Sequence, residues 1–284
     1  MAAIGLPILQ ELAQIILERT QAGPGFVIVS GERLDGLSDA QLVAMTFGLS
    51  QIMGSPMAQN ATGERLVLVA DARPSDVTNA RGYLTNESML LHTDASDLAG
   101  LLCLNPSFSG GATLLASAGA IQDVLADTVP DLLHEYYRVW SWNVGNLQVP
   151  GGESDLASPI FSTYAGALSC RYGSFMLRQA FSRGEGALTD LKLAALDCFE
   201  SVARHPDLLL RHRLQRGEVI WMNNYKVLHG REPFRDGDDP SLTRRYLRIW
   251  VRLAERPRLA QAFAAFDDHL LGRFEQVAQR VASR

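Results

Sequence analysis

Apolar positions near the start of the chain recur with the period of an α-helix. The stripe is formed by Ile8, Leu12, Ile15 and Ile16. It predicts an amphipathic helix that ends at the Gly-Pro-Gly turn of residues 23–25. A second helix is predicted to begin at Ser38, because Gln41 completes a capping box. Its predicted buried stripe is Leu42, Met45, Leu49 and Ile52, with Gly54 just past the end.

Most of the remaining chain shows a different pattern. GFVIVSG and residues 66–70 are typical of short strands, and from Met89 onward short apolar runs alternate with Gly, Pro and Asn. Many short strands with turn signals between them predict a β core closed as a sandwich or jelly roll. Helical patterns interrupt it at residues 117–125, 131–136, 189–204 and 257–283. The last of these helices is expected to pack on the outside.

The sequence contains no internal repeat, low-complexity tract or linker that would divide it. A single domain over residues 1–284 is therefore predicted, mainly β with flanking helices. Residues 71–88 are polar and are expected to form a long loop. Long loops in compact domains are usually functional, and this one is placed to act as a lid.

Composition narrows the choice of partners. The 284 residues include 26 basic and 31 acidic side chains, for a net charge of −5, and 47% are hydrophobic. These values are ordinary for a globular protein. Lys and Arg form no block, so no nucleic-acid partner is expected, and no apolar run approaches the ~18–20 residues of a membrane span. The sequence does not specify an oligomeric state.

The cysteines point to a reducing compartment. Cys103, Cys170 and Cys198 lie far apart among apolar neighbours, with no CxxC sequence. An odd number at such spacings argues against a disulfide framework, so inert core thiols and a cytoplasmic location are predicted.

The HTD sequence at residues 92–94 is the sharpest local signal. Side chains two residues apart on a strand point to the same face, so His92 and Asp94 would project together. Two ligands at that spacing can occupy adjacent positions on a metal ion. An HxD sequence by itself is weak, and the alternative is a strand histidine followed by a turn acid.

A third ligand is available far downstream. His229 lies in a short predicted strand that follows the turn residues Asn223 and Asn224. Two histidines and one carboxylate form the facial triad of non-haem Fe(II) oxygenases, which leaves positions open for a chelating cosubstrate and O₂. The three side chains therefore predict an Fe(II) centre.

An anchor for the cosubstrate is predicted around Arg244. On a strand, Arg244, Tyr246 and Arg248 would share one face, and Arg245 would take the other. A buried guanidinium is uncompensated unless a carboxylate arrives to pair with it. The alternative is an edge strand with solvated arginines. A separate Gly-Gly turn places the Thr113 hydroxyl early on another strand.

These motifs together resemble one family. LLHTDASDLAGLLCLNPSFSGGATLLAS, GEVIWMNNYKVLHGREPFRD and RRYLRIWV occur in this order. Over roughly residues 25–253 the chain looks like the TauD/TfdA family of Fe(II)/2-oxoglutarate-dependent dioxygenases, which are clavaminate synthase-like. The resemblance implies a double-stranded β-helix, a distorted jelly roll.

The resemblance also implies roles for individual residues. The implied iron ligands and catalytic residues are His92, Asp94 and His229. Arg244, helped by the Thr113 hydroxyl, would hold the distal carboxylate of 2-oxoglutarate. The family spaces two arginines four apart on this strand, which favours Arg244 over Arg245.

The substrate is a small molecule that the resemblance does not identify. Relatives that halogenate carry a small residue where Asp94 stands, so hydroxylation or desaturation of an unactivated C–H bond is expected, with release of succinate and CO₂. The predicted substrate contacts are Arg248, Arg171, Tyr83, Asn86 and Glu87. Two arginines beyond the cosubstrate anchor suggest an anionic substrate, such as an amino acid derivative or a natural-product intermediate. The four tryptophans fall on predicted strands and are expected to fill the core, and the alternative is that one of them walls the substrate pocket.

Two alternatives fit the same three ligands. One is a zinc-dependent hydrolase on the same scaffold, in which metal-bound water is the nucleophile. The other is a jelly-roll binding module that a metal stabilises. Arg244 argues against the hydrolase, because zinc hydrolysis needs no anchor for a 2-oxo acid.

Overall fold

The computed structural model describes residues 7–31, 34, 36–72, 82–144, 155–182 and 189–283. Within these ranges the helices are α1 (Pro7–Gln21), α2 (Asp39–Met53), α3 (Ala118–Thr128), α4 (Pro130–Tyr137), α5 (Ser174–Ser182), α6 (Asp190–Ala203) and α7 (Gln261–Ala282). The strands are β1 (Phe26–Val29), β2 (Gly54–Met57), β3 (Leu66–Val69), β4 (Met89–His92), β5 (Leu98–Asn105), β6 (Ser109–Gly110), β7 (Thr113–Ser117), β8 (Trp140–Asn143), β9 (Asp155–Ser158), β10 (Phe161–Tyr164), β11 (Ala167–Cys170), β12 (Leu209–His212), β13 (Val219–Asn223), β14 (Val227–Arg231), β15 (Phe234–Arg235) and β16 (Arg245–Leu253).

Two antiparallel sheets build the core. The larger has the strand order β1-β13-β5-β16-β2, with β3 also paired to β16, and the smaller has the order β12-β7-β14-β4. Strand β16 is thus interior to its sheet. The alternative of a solvated edge strand at residues 245–253 is therefore wrong.

Both faces of the larger sheet are buried, and the period of two along its strands separates them. On β5, Leu98 and Leu102 contact the helix layer, whereas Ala99 and Cys103 face the smaller sheet. The helix layer consists of α1 and α2, whose side chains belong to the same cluster as Trp221 and the outward-facing residues of β16. Strands buried on both faces read as nearly continuous apolar runs, as observed here.

The helices confirm most of the sequence predictions. The capping box between Ser38 and Gln41 is present at the start of α2, and the four predicted later helices are α3, α4, α6 and α7. Helix α5 was not predicted. Helix α7 does not simply lie outside, because Phe266, Leu270 and Phe274 pack into the central core with the strands.

The predicted stripes of the first two helices are partly wrong. Ile8, Ile15 and Ile52 are 78%, 43% and 43% exposed, whereas Thr20 and Ser50 are fully buried. The Thr20 hydroxyl donates to the Ile16 carbonyl at 2.8 Å, and the Ser50 hydroxyl donates to the Phe47 carbonyl. Because each hydroxyl is satisfied within its own helix, a polar residue can occupy the buried face.

Candidate active site

Three side chains meet at one end of the smaller sheet. One ligand atom from each of His92, Asp94 and His229 lies within 4.8 Å of the others. His92 ends β4 and is paired in register with His229 on β14. The Nε2 atom of His92 lies 3.8 Å from Asp94 Oδ1, and the Nε2 atom of His229 lies 3.5 Å from Asp94 Oδ2. In the described ranges, this is the one cluster of three such residues.

Asp94 reaches the cluster by a different route from the one predicted. Strand β4 ends at His92, so the pleat does not carry Asp94 to the same face. Instead, the Thr93 amide donates to the Tyr172 carbonyl at 2.8 Å, and the Asp94 amide donates to Asn224 Oδ1 at 3.2 Å. Contacts to two distant loops therefore set the direction of the carboxylate.

Neighbouring groups orient two of the ligands. His92 Nδ1 donates to the Leu90 carbonyl at 2.8 Å, which directs Nε2 towards the cluster. The indole N–H of Trp250 donates to Asp94 Oδ2 at 2.8 Å. Such outer contacts fix the tautomer and the rotamer of metal ligands.

The protonation states suit a divalent cation. Burial, helped by the charge of His229, lowers the pKa of His92 to about 4, so its imidazole is neutral near pH 7. Burial raises the pKa of Asp94, but the Arg248 guanidinium and the two histidines outweigh it, and the pKa lies well below its usual value. Imidazole nitrogens and an ionised carboxylate at this separation form a donor set that fits Fe(II).

A narrow space between the sheets, here called the inner cleft, adjoins the cluster. Its lining includes His92, His229, Thr113, Arg231, Arg244, Arg248 and Tyr83. Arg244 is 1% exposed, and its guanidinium lies 3.7 Å from the centre of the Tyr246 ring. One of its terminal nitrogens donates to the Val69 carbonyl at 3.3 Å, and its Nε is buried without a partner among the described residues.

Arg244, which immediately precedes β16, and the first residues of the strand divide between interior and surface as predicted. Arg244, Tyr246 and Arg248 are buried in the interior. Arg245 is more exposed and forms an ion pair with Asp39 at 2.9 Å. Thr113 is buried and opens β7, after Gly110 and Gly111 turn the chain with φ of 70° and 73°.

Sequence reasoning missed Arg231. Its guanidinium is buried and lines the inner cleft beside Arg244. Both Arg231 and His229 lie on β14, two residues apart. Side chains two residues apart on a strand point to the same face, so the argument used for His92 and Asp94 would also have placed Arg231 on the face of His229.

On the other side of the cluster lies a wider space of about 360 Å³, here called the outer cavity. Its walls are largely apolar and include Trp142, Trp250, Phe266, Leu270, Met176 and Leu91. Its polar lining includes Arg171 and Arg248, and Tyr83 lines both spaces. Trp142 and Trp250 are thus buried in the core, as expected, and also wall this cavity.

The two arginines of the outer cavity each have an acidic partner. Arg171 lies 2.6 Å from Asp267 Oδ1 on α7, and its guanidinium stacks 4.2 Å from the centre of the Phe266 ring. Arg248 lies 3.5 Å from Asp94 Oδ1 and donates to Gln59 Oε1 at 2.8 Å. Both guanidiniums are therefore held in place before any substrate arrives.

Two predicted substrate contacts stay predictions. Asn86 and Glu87 do not belong to the lining of either space. The Glu87 side chain is exposed. Their backbone carbonyls accept hydrogen bonds from the Phe234 amide and from Arg231, so this segment contributes backbone rather than side chains. Of the predicted lid, residues 73–81 lie outside the described residues.

Comparison of the sequence with known protein families identifies the family of this chain. Residues 6–250 match the family model described as "Taurine catabolism dioxygenase TauD, TfdA family". The chain belongs to the TauD/TfdA family. As a member, it is a non-haem Fe(II)/2-oxoglutarate-dependent dioxygenase, with O₂ as the second cosubstrate. The predicted enzyme class is confirmed, over a zinc hydrolase or a binding module.

Individual relatives agree with the TauD/TfdA assignment. The chain is 32% identical over 247 residues to FR-33289 synthase of Streptomyces rubellomurinus (strain ATCC 31215), covering 84% of this chain and 71% of that protein. An asparagine oxygenase in complex with Fe(II), 2S,3S-3-hydroxyasparagine and succinate has a TM-score of 0.65 at 17% identity, covering 87% of this chain and 79% of that one. The D157A mutant of the non-heme iron oxygenase OrfP in complex with (3S)-hydroxy-L-Arg has a TM-score of 0.61 at 14% identity, covering 88% and 81%. These likenesses confirm the predicted jelly-roll fold.

Proposed function

We propose that this enzyme hydroxylates or desaturates an unactivated C–H bond of a small molecule bearing an anionic group, with release of succinate and CO₂. The observation that carries the proposal is the position of the His92, Asp94 and His229 cluster. It lies between an arginine-lined inner cleft and a larger, mostly apolar outer cavity. One compartment suits a dicarboxylate, and the other suits an amphipathic substrate.

In this proposal, His92, Asp94 and His229 hold Fe(II). When bound there with 2-oxoglutarate, the metal supplies the O₂ activation that oxidises the substrate. Trp250 and the Leu90 carbonyl keep the ligands aligned before the metal binds. The carboxylate of Asp94 occupies a position that a halide would otherwise need, which favours oxidation over halogenation.

Arg244 and Thr113 would bind the distal carboxylate of 2-oxoglutarate in the inner cleft. The Arg244 guanidinium is almost fully buried, and its Nε has no hydrogen-bond partner among the described residues. Burial lowers its pKa, which is the effect that an incoming anion would reverse. The Thr113 hydroxyl can add a neutral hydrogen bond from the facing sheet.

The substrate would occupy the outer cavity, with Arg171, Arg248 and Tyr83 as its polar contacts. The planar guanidinium of Arg171 is locked between Asp267 and the Phe266 ring, so little side-chain freedom is lost when it binds an anion. The structurally similar asparagine oxygenase and non-heme iron oxygenase OrfP were crystallised with 3-hydroxyasparagine and with (3S)-hydroxy-L-Arg. An amino acid derivative or a natural-product intermediate of similar size fits the same arrangement.

We further propose that residues 1–284 act as one domain in the cytoplasm, without nucleic-acid or membrane partners. Helix α7 supports a single domain, because its apolar face belongs to the central core. The three free cysteines support a reducing compartment. In the described part of the chain, no helix has the length and hydropathy needed to cross a membrane.

The test of the proposed reaction begins without substrate. Under anaerobic conditions, Fe(II) and 2-oxoglutarate together should produce a weak visible charge-transfer band that neither gives alone. Succinate, which lacks the keto group, is the matched control and should give no band. A spectrum unchanged by the pair would contradict chelation at this centre.

The anionic group of the substrate is tested with matched pairs of compounds. L-Amino acids and small carboxylic acids are screened against their own primary amides, with 2-oxoglutarate-dependent succinate release as the readout. We expect release above background only with the carboxylate member of each pair, because the guanidiniums of Arg171 and Arg248 line the cavity and bind a carboxylate by charge-assisted hydrogen bonds that an amide cannot replace. For an active acid, Arg171→Lys should raise KM about tenfold with kcat little changed, since the charge remains and the planar fork is lost. Equal turnover of acid and amide would contradict the proposal.

A further inference from the structure

Two buried guanidiniums share one aromatic ring in the inner cleft. Arg231 is 3% exposed and Arg244 is 1% exposed. The guanidinium carbons of Arg231 and Arg244 lie 4.8 Å and 5.2 Å from the centre of the Phe234 ring. Two buried guanidiniums therefore pack against the same ring in the inner cleft, and burial of both charges favours an anion that pairs with them.

The hydrogen bonds of Arg231 leave part of its fork unused. One terminal nitrogen donates to the backbone carbonyls of Gly82, Thr85 and Glu87. Its Nε and its other terminal nitrogen are buried without a partner among the described residues, as is the Nε of Arg244. Neutral carbonyls satisfy one edge of the guanidinium but do not balance its charge.

The distance from His229 to Arg231 along the strand is similar to the length of 2-oxoglutarate. Arg231 pairs in register with Thr113 on β7 and lies two residues beyond His229 on β14. Two residues of a strand span roughly 6.6 Å. The two carboxyl carbons of an extended 2-oxoglutarate are roughly 5 Å apart, since four C–C bonds of about 1.5 Å join them. A cosubstrate chelated at the metal end would therefore bring its distal carboxylate to Thr113 and Arg231.

We propose that Arg231 is a second cosubstrate-binding residue, which clasps the distal carboxylate of 2-oxoglutarate together with Arg244 and so selects a five-carbon diacid. This inference rests on the proposed function of the inner cleft. Arg231 then has two roles at once, because its other edge holds the segment that carries Tyr83. Tyr83 lines the outer cavity as well, so the bound cosubstrate reinforces a wall of the substrate site.

The experiment compares two ligands that differ only at the distal end. Dissociation constants of 2-oxoglutarate and 2-oxopentanoate are measured anaerobically by calorimetry with the Fe(II)-loaded protein. The variants are Arg231→Gln, Arg244→Gln and, as a matched control, Arg235→Gln, whose side chain is exposed on β15. We expect Arg231→Gln to weaken 2-oxoglutarate at least about tenfold and to change 2-oxopentanoate less than about twofold. Arg235→Gln should change neither constant.

The outcomes separate this inference from the proposed function. Equal weakening of both ligands in Arg231→Gln would assign Arg231 a structural role and overturn the inference. The inference is also overturned if Arg244→Gln loses 2-oxoglutarate and Arg231→Gln does not. If the unmutated protein fails to bind 2-oxoglutarate, or Arg244→Gln is silent, the proposed function of the cleft itself fails. If Arg231→Gln does not fold, Arg231→Lys is measured instead, and the change in the dissociation constant of 2-oxoglutarate is compared with that of 2-oxopentanoate. We expect Arg231→Lys to weaken 2-oxoglutarate more than 2-oxopentanoate.

Discussion

Replacing His229 with Ala is expected to abolish iron binding and succinate release together. His229 supplies one of only three protein ligands in the proposed centre, and its Nε2 lies 3.5 Å from the carboxylate of Asp94. Loss of an outer partner of a metal ligand already costs about 10–100-fold in affinity, so loss of a ligand should cost more than about 100-fold. Equilibrium dialysis against Fe(II) under anaerobic conditions measures the first quantity, and mass spectrometry of succinate measures the second.

The control for this variant is His134→Ala, whose side chain lies on α4, away from the metal cluster. It should bind iron and release succinate as the unmutated protein does. Thermal unfolding of the metal-free proteins establishes whether His229→Ala remains folded. Full iron occupancy in a folded His229→Ala protein would remove His229 from the metal centre.

Replacing Arg244 with Ala is expected to raise the apparent constant for 2-oxoglutarate by about 10–150-fold. A charge-assisted contact to a carboxylate is worth about 1.5–3 kcal/mol, and burial of Arg244 between the sheets removes competition from water. Thr113→Val removes only a neutral hydroxyl of similar shape, worth about 1 kcal/mol, and should raise the constant roughly fivefold. Succinate release at varied 2-oxoglutarate concentration gives both values.

Arg245→Ala is the matched control, because Arg245 neighbours Arg244 but points outward to Asp39. It should leave the 2-oxoglutarate constant unchanged. A damaging Arg245→Ala beside a silent Arg244→Ala would place the cosubstrate on the other face of β16. Arg244→Lys distinguishes lost charge from a collapsed cavity, since it should keep part of the affinity if charge is the main contribution.

Local periodicity in the sequence was sufficient to predict features that depend on the residues of a single strand or helix. The inward row of residues at the start of β16 follows from alternation alone, and the structure buries Arg244, just before the strand, together with Tyr246 and Arg248. The capping box at Ser38 also needs only residues three apart. The same alternation along β14 would have found Arg231 beside His229.

Hydrophobic periodicity was insufficient to predict the buried face of a helix where a polar side chain forms a hydrogen bond with the backbone of the same helix. Hydropathy placed Ile8 and Ile15 on the buried face of α1, but Thr20 is buried there instead because its hydroxyl bonds to a carbonyl of the preceding turn. A hydropathy scale assigns threonine the free-energy cost of burying an unpaired hydroxyl. That cost is largely removed once the hydroxyl donates a hydrogen bond to a backbone carbonyl. The segment of Asn86 and Glu87 likewise takes part through its backbone carbonyls, which a side-chain pattern does not record.

The sequence by itself determined the residue types of the metal cluster, the order of the motifs and the β class of the core. The tertiary structure decided how Asp94 joins two histidines 137 residues apart. It did so through hydrogen bonds from the HTD turn to Tyr172 and Asn224, which no local pattern encodes. It also decided that Asp267 on α7 holds Arg171 in the outer cavity. A short-range pattern records which face a side chain takes, whereas the pairing of buried charges depends on which distant elements the packed core brings into contact.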